Sequence, residues 1–495
     1  MYTFLIGLAI LFIGGWVYGG ICEKIMKPDD RKTPAYTKTD GIDFVPMATW
    51  RNTLLNGISI AGTGPILGPI MGILWGPVAF ILIPVFCILA GSAHDYFSGM
   101  LALRNNGMQM PLMIKKYTNN AVFHFYNLFL SLLLLLVGAV FVYVPGDLIA
   151  TEVFGLSAGV YDPWTWVIYG SIFAYYLAVT YFPINAIMGR LYPPLGLILI
   201  FSAVGVFFGI FYWNYPLTEL SFDNWLGVHP AGLPLIPVFF VTVACGILSG
   251  FHSSQTALFS RNVTHERQGR MTFFNMMLVE GFIAMVWAAA AMGLRTKMMA
   301  DGVAFADLPG AAAMIGAVCR DMLGANAGMI AIIGVILLPI TTGDSALRAL
   351  RLVVGEYFNI DQKPGKNRLI ISAIIFSITG AILYWAKMDA DGFNILWRYF
   401  AWSNQTLAVF AFAIITVYLI ARGYTHAPLI ALLPGMFYMF ITSAFIINQP
   451  IGLNQPYGVA IVAGLVIAVI YGVLIWKQGI KLRDSKAPIE AEPKY

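Results

Sequence analysis

Apolar runs close to twenty residues long follow one another along this sequence, separated by short charged or Pro/Gly-rich breaks. A hydrocarbon core ~30 Å thick takes about 20 helical residues to cross, so each run has the length of one membrane-spanning helix. The pattern predicts spans near 3–22, 55–75, 77–103, 123–146, 165–182, 187–213, 234–255, 273–294, 327–347, 369–386, 396–420, 428–447 and 457–476. The connections are a few tens of residues at most, too short for an enzymatic domain of ordinary size. Any function must lie mainly inside the membrane.

Composition agrees with this pattern. Of 495 residues, 59% are hydrophobic and 11% charged, against roughly 25% charged in a soluble domain. The predicted fold class is an all-α integral membrane protein of about 13 transmembrane helices. The net charge of +5 is read through its placement, as orientation and not as affinity for nucleic acid. Numbering the sides alternately puts 24 of the 29 Lys and Arg on one side and 4 on the other, with Arg398 inside a span. The rich side is expected to be the cytoplasm, which places the N-terminus outside and the C-terminal tail in the cytoplasm. The first run has no basic leader region or small-residue cleavage site, so it is expected to be a retained span. Cys22, Cys87, Cys245 and Cys319 are scattered singly, which predicts free thiols and no metal site.

Two spans stand apart. The second reads ISIAGTGPILGPIMG, where Gly62, Gly64, Pro65, Gly68 and Pro69 weaken a continuous helix. The seventh reads ACGILSGFHSSQTALF, with Gly246, Gly250 and a polar run from His252 to Thr256. Both are expected to break in mid-membrane. They lie five spans apart, enter from opposite sides, and each opens a group of five, which is the pattern of an inverted repeat. The chain then divides into 1–54 (first helix and cytoplasmic loop), 55–213 and 234–420 (two five-helix repeats), and 421–495 (two further helices and a tail). Interrupted spans at matching positions point to a transporter binding site at the bilayer midplane. Gly62, Thr63, Gly64, Pro65, Ser249, Gly250, His252, Ser253, Ser254 and Gln255 are the substrate-site candidates, with no catalytic residue among them. The bland alternative is that glycine and proline here mark kinks and close helix packing.

Ionisable groups in a span cost about 2.5–3.5 kcal/mol at the bilayer centre, so each needs a partner or a purpose. His252 lies in a predicted break and can change protonation near neutral pH; with Asp344 and Asp95 it forms the set of proton-coupling candidates. A neutral histidine bonded to a backbone carbonyl is its structural alternative. Asp344 and Arg348 share a helix face at i,i+4 and are expected to pair. Ala61, Gly64, Thr341, Thr342 and Ser345 make a candidate cation site, set against the habit of membrane hydroxyls of bonding to their own carbonyls. His94 and Asp95 are adjacent, about 100° apart on a helix, so one of them is expected to be structural. Glu280 and Arg398 receive no role. The loop SRNVTHERQGR (260–270) reads as a solvated charged turn. No Walker, HExxH or GxSxG motif is present, so neither ATP drive nor hydrolysis has support and no cofactor is expected beyond a coupling ion.

Five ordered strings, DGIDFVPMATW, IAGTGPILGPIMG, SGFHSSQTALFSRN, PITTGDSALRALRL and FAWSNQTLA, together resemble the carbon starvation protein family of bacterial inner-membrane permeases, over roughly residues 40 to 410. The resemblance implies a multi-pass inner-membrane importer of peptides or pyruvate during carbon starvation, coupled to H+. It also implies a LeuT-like five-plus-five architecture, here with one extra N-terminal and two extra C-terminal helices. A sodium-coupled symporter and a passive channel for small organic anions are the alternatives. The partners expected are a small-molecule substrate and membrane lipid, with the oligomeric state left open. The chain is shorter than the long enterobacterial members, a compact form whose substrate need not be theirs.

Overall fold

With no water in a bilayer core, each backbone N–H and C=O in a span must be satisfied within the protein, which leaves helices as the economical solution for apolar runs. A computed structural model shows this outcome: every regular element among the described residues is helical. The structure describes residues 1–492 apart from 42, 180–183, 359 and 362–364, and of 184–193 and 356 it describes the backbone only. Residues 180–182 of the expected fifth span and 493–495 of the tail therefore lie outside the described residues.

Among the described residues, eleven helices are long and apolar enough to cross a membrane, and the bent pair Thr49–Ile60 and Gly64–Trp75 makes up to a twelfth span. The remaining expected span corresponds to the 17-residue helix Pro163–Val179. The ninth span sits within a longer helix, Ala311–Tyr357, which is interrupted at Gly324, where φ is 75°, a backbone state that glycine adopts without steric cost.

Burial sorts the spans into a centre and a rim. The eighth span, Glu266–Ala300, has 89% of its apolar window buried inside the protein, and the seventh and eleventh, Leu235–Asn262 and Gly392–Ala421, have 83% each. The first, tenth and thirteenth, at 28–33%, turn most of their surface to lipid. Residues in the centre must therefore satisfy one another.

Both spans expected to break do so. Thr49–Ile60 stops at Ala61 and the chain re-enters a helix at Gly64, bent by 49°. The seventh span is a run of short turns from Leu235 to Gly246, an irregular stretch, and a new helix at Phe251–Phe259. Ala244 within it has φ 36°, a conformation rare for a residue with a side chain. The two broken spans pack on each other through glycine. A Cβ on Gly64 would lie 2.4 Å from Cys245 Cβ, on Gly68 2.3 Å from the Val243 carbonyl oxygen, and on Gly72 2.4 Å from Val243 Cγ2. The glycines that weaken the second helix are thus the ones that let it touch the seventh, so the packing and the break have one sequence cause.

The 260–270 loop corrects its sequence reading. It is not simply solvated: Glu266 is fully buried, 2.9 Å from Arg104 Nη2 and 3.5 Å from Arg31 Nε. It also accepts the Asp29 N–H at 3.0 Å. A charge run looks solvated in sequence because its partners, Arg31 and Arg104, arrive from elsewhere in the chain. The tail completes this cluster. Glu490 accepts from the Tyr418 hydroxyl and from Arg31 Nη1 at 2.9 Å. Ile489 C=O accepts from the Tyr117 hydroxyl at 2.5 Å, and the Ala491 N–H donates to Arg104 C=O at 3.0 Å.

Two predictions follow from these contacts. Gly68→Ala should lower the melting temperature of the detergent-solubilised protein, an overpacking cost of about 1–3 kcal/mol. Gly380→Ala, where a Cβ meets nothing within 4 Å, should leave it unchanged; equal behaviour of the two would count against the helix contact. The second concerns the tail. Burial pushes the Glu490 carboxyl up, but the Tyr418 hydroxyl and the Arg104, Arg31 and Arg422 guanidiniums outweigh it and hold the group below its usual value. A carboxyl depressed in the folded state stabilises docking above its unfolded pKa and stops doing so as pH falls through the folded value. A spin label at Ala487→Cys, beside four native cysteines that are all buried, should stay immobile near neutrality and become mobile in acid below about pH 4. Adding Glu490→Gln should make it mobile at all pH values.

Candidate functional site

A broken helix leaves backbone donors and acceptors without partners inside the membrane, and the eleventh span supplies what the seventh lacks. Asn404 Oδ1 accepts the Phe251 N–H at 2.9 Å, its Nδ2 donates to Ser249 Oγ at 3.0 Å and to Cys245 Sγ at 3.3 Å, and its carbonyl accepts the Gly250 N–H at 3.1 Å. Gln405 Nε2 donates to Phe240 C=O at 2.7 Å and Trp397 Nε1 to Thr242 C=O at 2.9 Å. The FAWSNQTLA string is therefore a clasp over the break. Gly250 has to be glycine there, because a Cβ would stand 2.3 Å from Asn404 C=O.

On the other side of the break, His252 opens the second half-helix and meets two carboxylates. Its Nδ1 is 3.0 Å from Asp95 Oδ2, and its Nε2 is 3.4 Å from Glu280 Oε2. Asp95 Oδ1 is in turn 2.8 Å from His94 Nδ1. None of the four side chains is more than 1% exposed. They come from the third, seventh and eighth spans, and the helix ahead of His94 and Asp95 widens into a π-turn over Cys87–Ser92, a distortion that recurs at functional sites. Both Glu280 oxygens and His252 Nε2 are buried with no hydrogen bond. A buried carboxyl without a donor costs free energy, so this gap is the unsatisfied point of the cluster.

A narrow cleft with an interior of about 20 Å3, room for about one water in this closed arrangement, lies between the two breaks. Its lining includes Gly62, Gly64, Cys245, Ser249, Thr342 and Asn404, with Phe141 and Phe400 as aromatic walls. The structure brings Gly62, Gly64 and Ser249 of the substrate-site candidates to it. Thr63 and Pro65 are buried beside it, and the Thr63 hydroxyl has no hydrogen-bond partner. Gly250 and Ser253 are used within the break, Ser253 Oγ donating to Gly250 C=O at 2.6 Å. Ser254 and Gln255 lie outside the cleft lining. Of the cation-site candidates, Gly64 and Thr342 meet at the cleft and Ala61 is buried at the break, whereas Thr341 and Thr342 both donate to Leu338 C=O and Ser345 to Thr341 C=O. Asp344 pairs with Arg348 at 3.3 Å, apart from the His252 cluster. The sequence offered no role for Glu280 and no mention of Asn404. A buried acid on a span was the available signal for the first; a polar Asn-Gln pair on an otherwise apolar helix was the signal for the second.

The family model for carbon starvation protein CstA matches residues 1–212, 164–315 and 288–444. The chain belongs to the carbon starvation protein family. Among the relatives of this family member, an uncharacterized membrane protein of Haemophilus influenzae is 38% identical over 58% of this chain and 89% of its own length. A peptide transporter CstA of Helicobacter pylori is 24% identical over 85% and 78%. The pyruvate/proton symporter BtsT of Escherichia coli is 26% identical over 55% of this chain and 46% of its own. In fold the chain is similar to a solved manganese transporter of Eremococcus coleocola, with a TM-score of 0.55, 11% identity and coverage of 90% and 98%; at that identity the likeness is one of fold alone. This carbon starvation family protein is accordingly a multi-pass membrane transporter.

The clasp generates a direct prediction. Asn404→Ala should destabilise the protein by about 1–3 kcal/mol, since buried donors and acceptors at the break lose their partner. Asn394→Ala, whose amide bonds only the exposed Asp391, should not. Thermal unfolding of both variants in detergent measures the difference, and equal melting would remove Asn404 from the role assigned to it.

Proposed function

We propose that this protein is a secondary active importer of a small organic carboxylate, pyruvate or a short peptide, driven by proton symport across the bacterial inner membrane. The observation that carries the reading is the Asp95–His252–Glu280 chain, a continuous line of buried titratable groups that joins three spans beside the cleft. The substrate's carboxylate would be met by the Thr63 hydroxyl and by the Gly64 amide where the helix restarts, a position that suits an anion, since Pro65 has no N–H and the Ile66 and Leu67 amides already donate to Thr63 C=O. Phe141 and Phe400 would pack on its carbon skeleton. Gly62, Ser249 and Thr342 would shape the remaining wall.

In this mechanism the proton enters at the gap between His252 and Glu280, and Asp95 holds the imidazole through Nδ1 so that Nε2 faces Glu280. His94 orients Asp95 from its other oxygen. Closing and opening would occur as a helix bundle moves around the broken second and seventh spans, read as equivalent members of two inverted repeats, with the glycine seam between them as the sliding face. The pyruvate/proton symporter and the peptide transporters among its relatives support the substrate class and the coupling ion. Sodium coupling through Ala61, Gly64, Thr341, Thr342 and Ser345 is the alternative, and Asp344 is left to its ion pair with Arg348.

Radiolabelled pyruvate and dipeptide uptake into proteoliposomes, with pH and sodium gradients imposed separately, tests the proposal. Wild-type protein should concentrate one of the solutes when only a pH gradient is present. Glu280→Gln should lose accumulation and keep counterflow exchange, whereas His252→Ala should lose both. Accumulation that follows the sodium gradient alone, or a Glu280→Gln variant that concentrates solute as the wild type does, would sink the proton mechanism.

A further inference from the structure

The ninth and tenth spans meet at the end of the bundle that the charge pattern assigns to the cytoplasm, and there they enclose an arginine with nothing to bind. Arg351 is 6% exposed, and its Nε and Nη1 are buried without a hydrogen bond. No described residue forms an ion pair with it. Arg348 precedes it by three residues on the same helix, where i,i+3 side chains are neighbours, and Arg368 comes from the facing turn of the tenth span, also with a buried unpaired Nε. The charges of both act on Arg351. Among the described residues, the one carboxylate whose charge acts on Arg351 is Asp344, which Arg348 engages at 3.3 Å, and Arg348 also donates to Val179 C=O at 2.9 Å. Three guanidiniums against one carboxylate leave the corner with an excess of positive charge and a buried fork of donors. Removing a charge from water without a partner is costly, and a guanidinium fork matches the oxygens of a phosphate.

The surface beside this corner tells which phosphate. Ile370, Ile374 and Ile378 recur at i,i+4 on the outer face of the tenth span and are 45–56% exposed, and Leu352 of the ninth is 41% exposed. This is a stripe facing lipid chains, and it starts two residues from Arg368. Charged donors at the membrane surface with an apolar track running from them into the bilayer fit an amphiphile and not a free ion. We propose that Arg351, Arg348 and Arg368 bind the headgroup phosphate of an anionic phospholipid, whose acyl chains lie along Leu352, Ile370, Ile374 and Ile378. Basic pockets between helices on the cytoplasmic side take such headgroups in other membrane proteins. The site is separate from the cleft and does not rest on the transport reading.

The test uses the full chain purified in detergent and reads its melting temperature against added dioleoyl phosphatidylglycerol, dioleoyl phosphatidylcholine and inorganic phosphate. Phosphatidylglycerol should stabilise saturably, and phosphatidylcholine and inorganic phosphate should not. Arg351→Gln and Arg368→Gln should each weaken the apparent affinity for phosphatidylglycerol by about five-fold, the weight of one basic residue at an anionic headgroup. Arg368 is only partly buried, so its variant decides the question if Arg351→Gln does not fold. Equal stabilisation by the two lipids, or an unchanged response in Arg368→Gln, overturns the proposal. Stabilisation by inorganic phosphate alone overturns its lipid part and assigns the arginines to a soluble anion.

Discussion

Everything at the centre of this protein depends on one constraint: a helix that breaks in the membrane must have its exposed backbone covered by protein. The break at 247–250 is covered from the eleventh span by Asn404, whose side chain and main-chain carbonyl accept from the Phe251 and Gly250 amides and whose side-chain amide donates to Ser249 and Cys245, while Ser253 Oγ donates to Gly250 C=O. Water would do this in a soluble protein. Here an amide side chain on a rigid 30-residue helix does it, which fixes the position of the restarting half-helix and so the aim of His252. Gly64, Gly68 and Gly72 answer the same constraint for the second span, by bringing its backbone against that of the seventh.

What the sequence revealed of this arrangement follows from the range over which each force acts. Length and apolarity are local, so the long apolar spans were legible. Glycine and proline act on their own backbone, so both breaks were legible too. Glu280 and Asn404 carry no such local mark. Each becomes meaningful only through groups more than a hundred residues away in the opposite direction of the chain, or nearly thirty residues off across a turn, as His252 is from Glu280. The 260–270 loop went astray for the same reason, since Glu266 looks solvated until Arg104 and Arg31 are placed on it. His94 and Asp95 were rightly seen to diverge by 100° on a helix, yet Asp95 uses its two oxygens to face His94 and His252 at once, which a rule about side-chain direction alone does not anticipate.

The distribution of burial adds a mechanical argument to the chemical one. The seventh, eighth and eleventh spans form the most enclosed part of the bundle, and each carries part of the cluster or the clasp: His252, Glu280 and Asn404. A moving element must shed contacts on one side and regain them on the other, at little net cost. Glycine faces permit such sliding, because they present backbone without interlocking side chains. The second span presents Gly64, Gly68 and Gly72 to the seventh at i,i+4 spacing, so the least interlocked interface in the centre lies between the two broken spans. The clasp, by contrast, is a set of directional hydrogen bonds. Movement therefore belongs at the glycine seam, and the seventh span's second half should travel with the eleventh.

That division of labour also suggests how a proton could control the movement. With Asp95 and Glu280 ionised and His252 protonated, the line carries a net charge of −1; one more proton makes it neutral. Sealing a net charge inside a bilayer costs about 2.5–3.5 kcal/mol, which is a factor of roughly 100 in the population of a sealed state. Side chains at 0–1% exposure describe such a sealed arrangement. In the proposed cycle, the protonated protein can close around the cluster and the deprotonated one is driven to open it to water. In the same proposed cycle the substrate would do the corresponding work at the cleft, its carboxylate meeting the Thr63 hydroxyl, which has no partner in the structure. Proton and substrate would then favour the same closed state through two adjacent but chemically distinct sites, and coupling would need no contact between them beyond the half-helices they share.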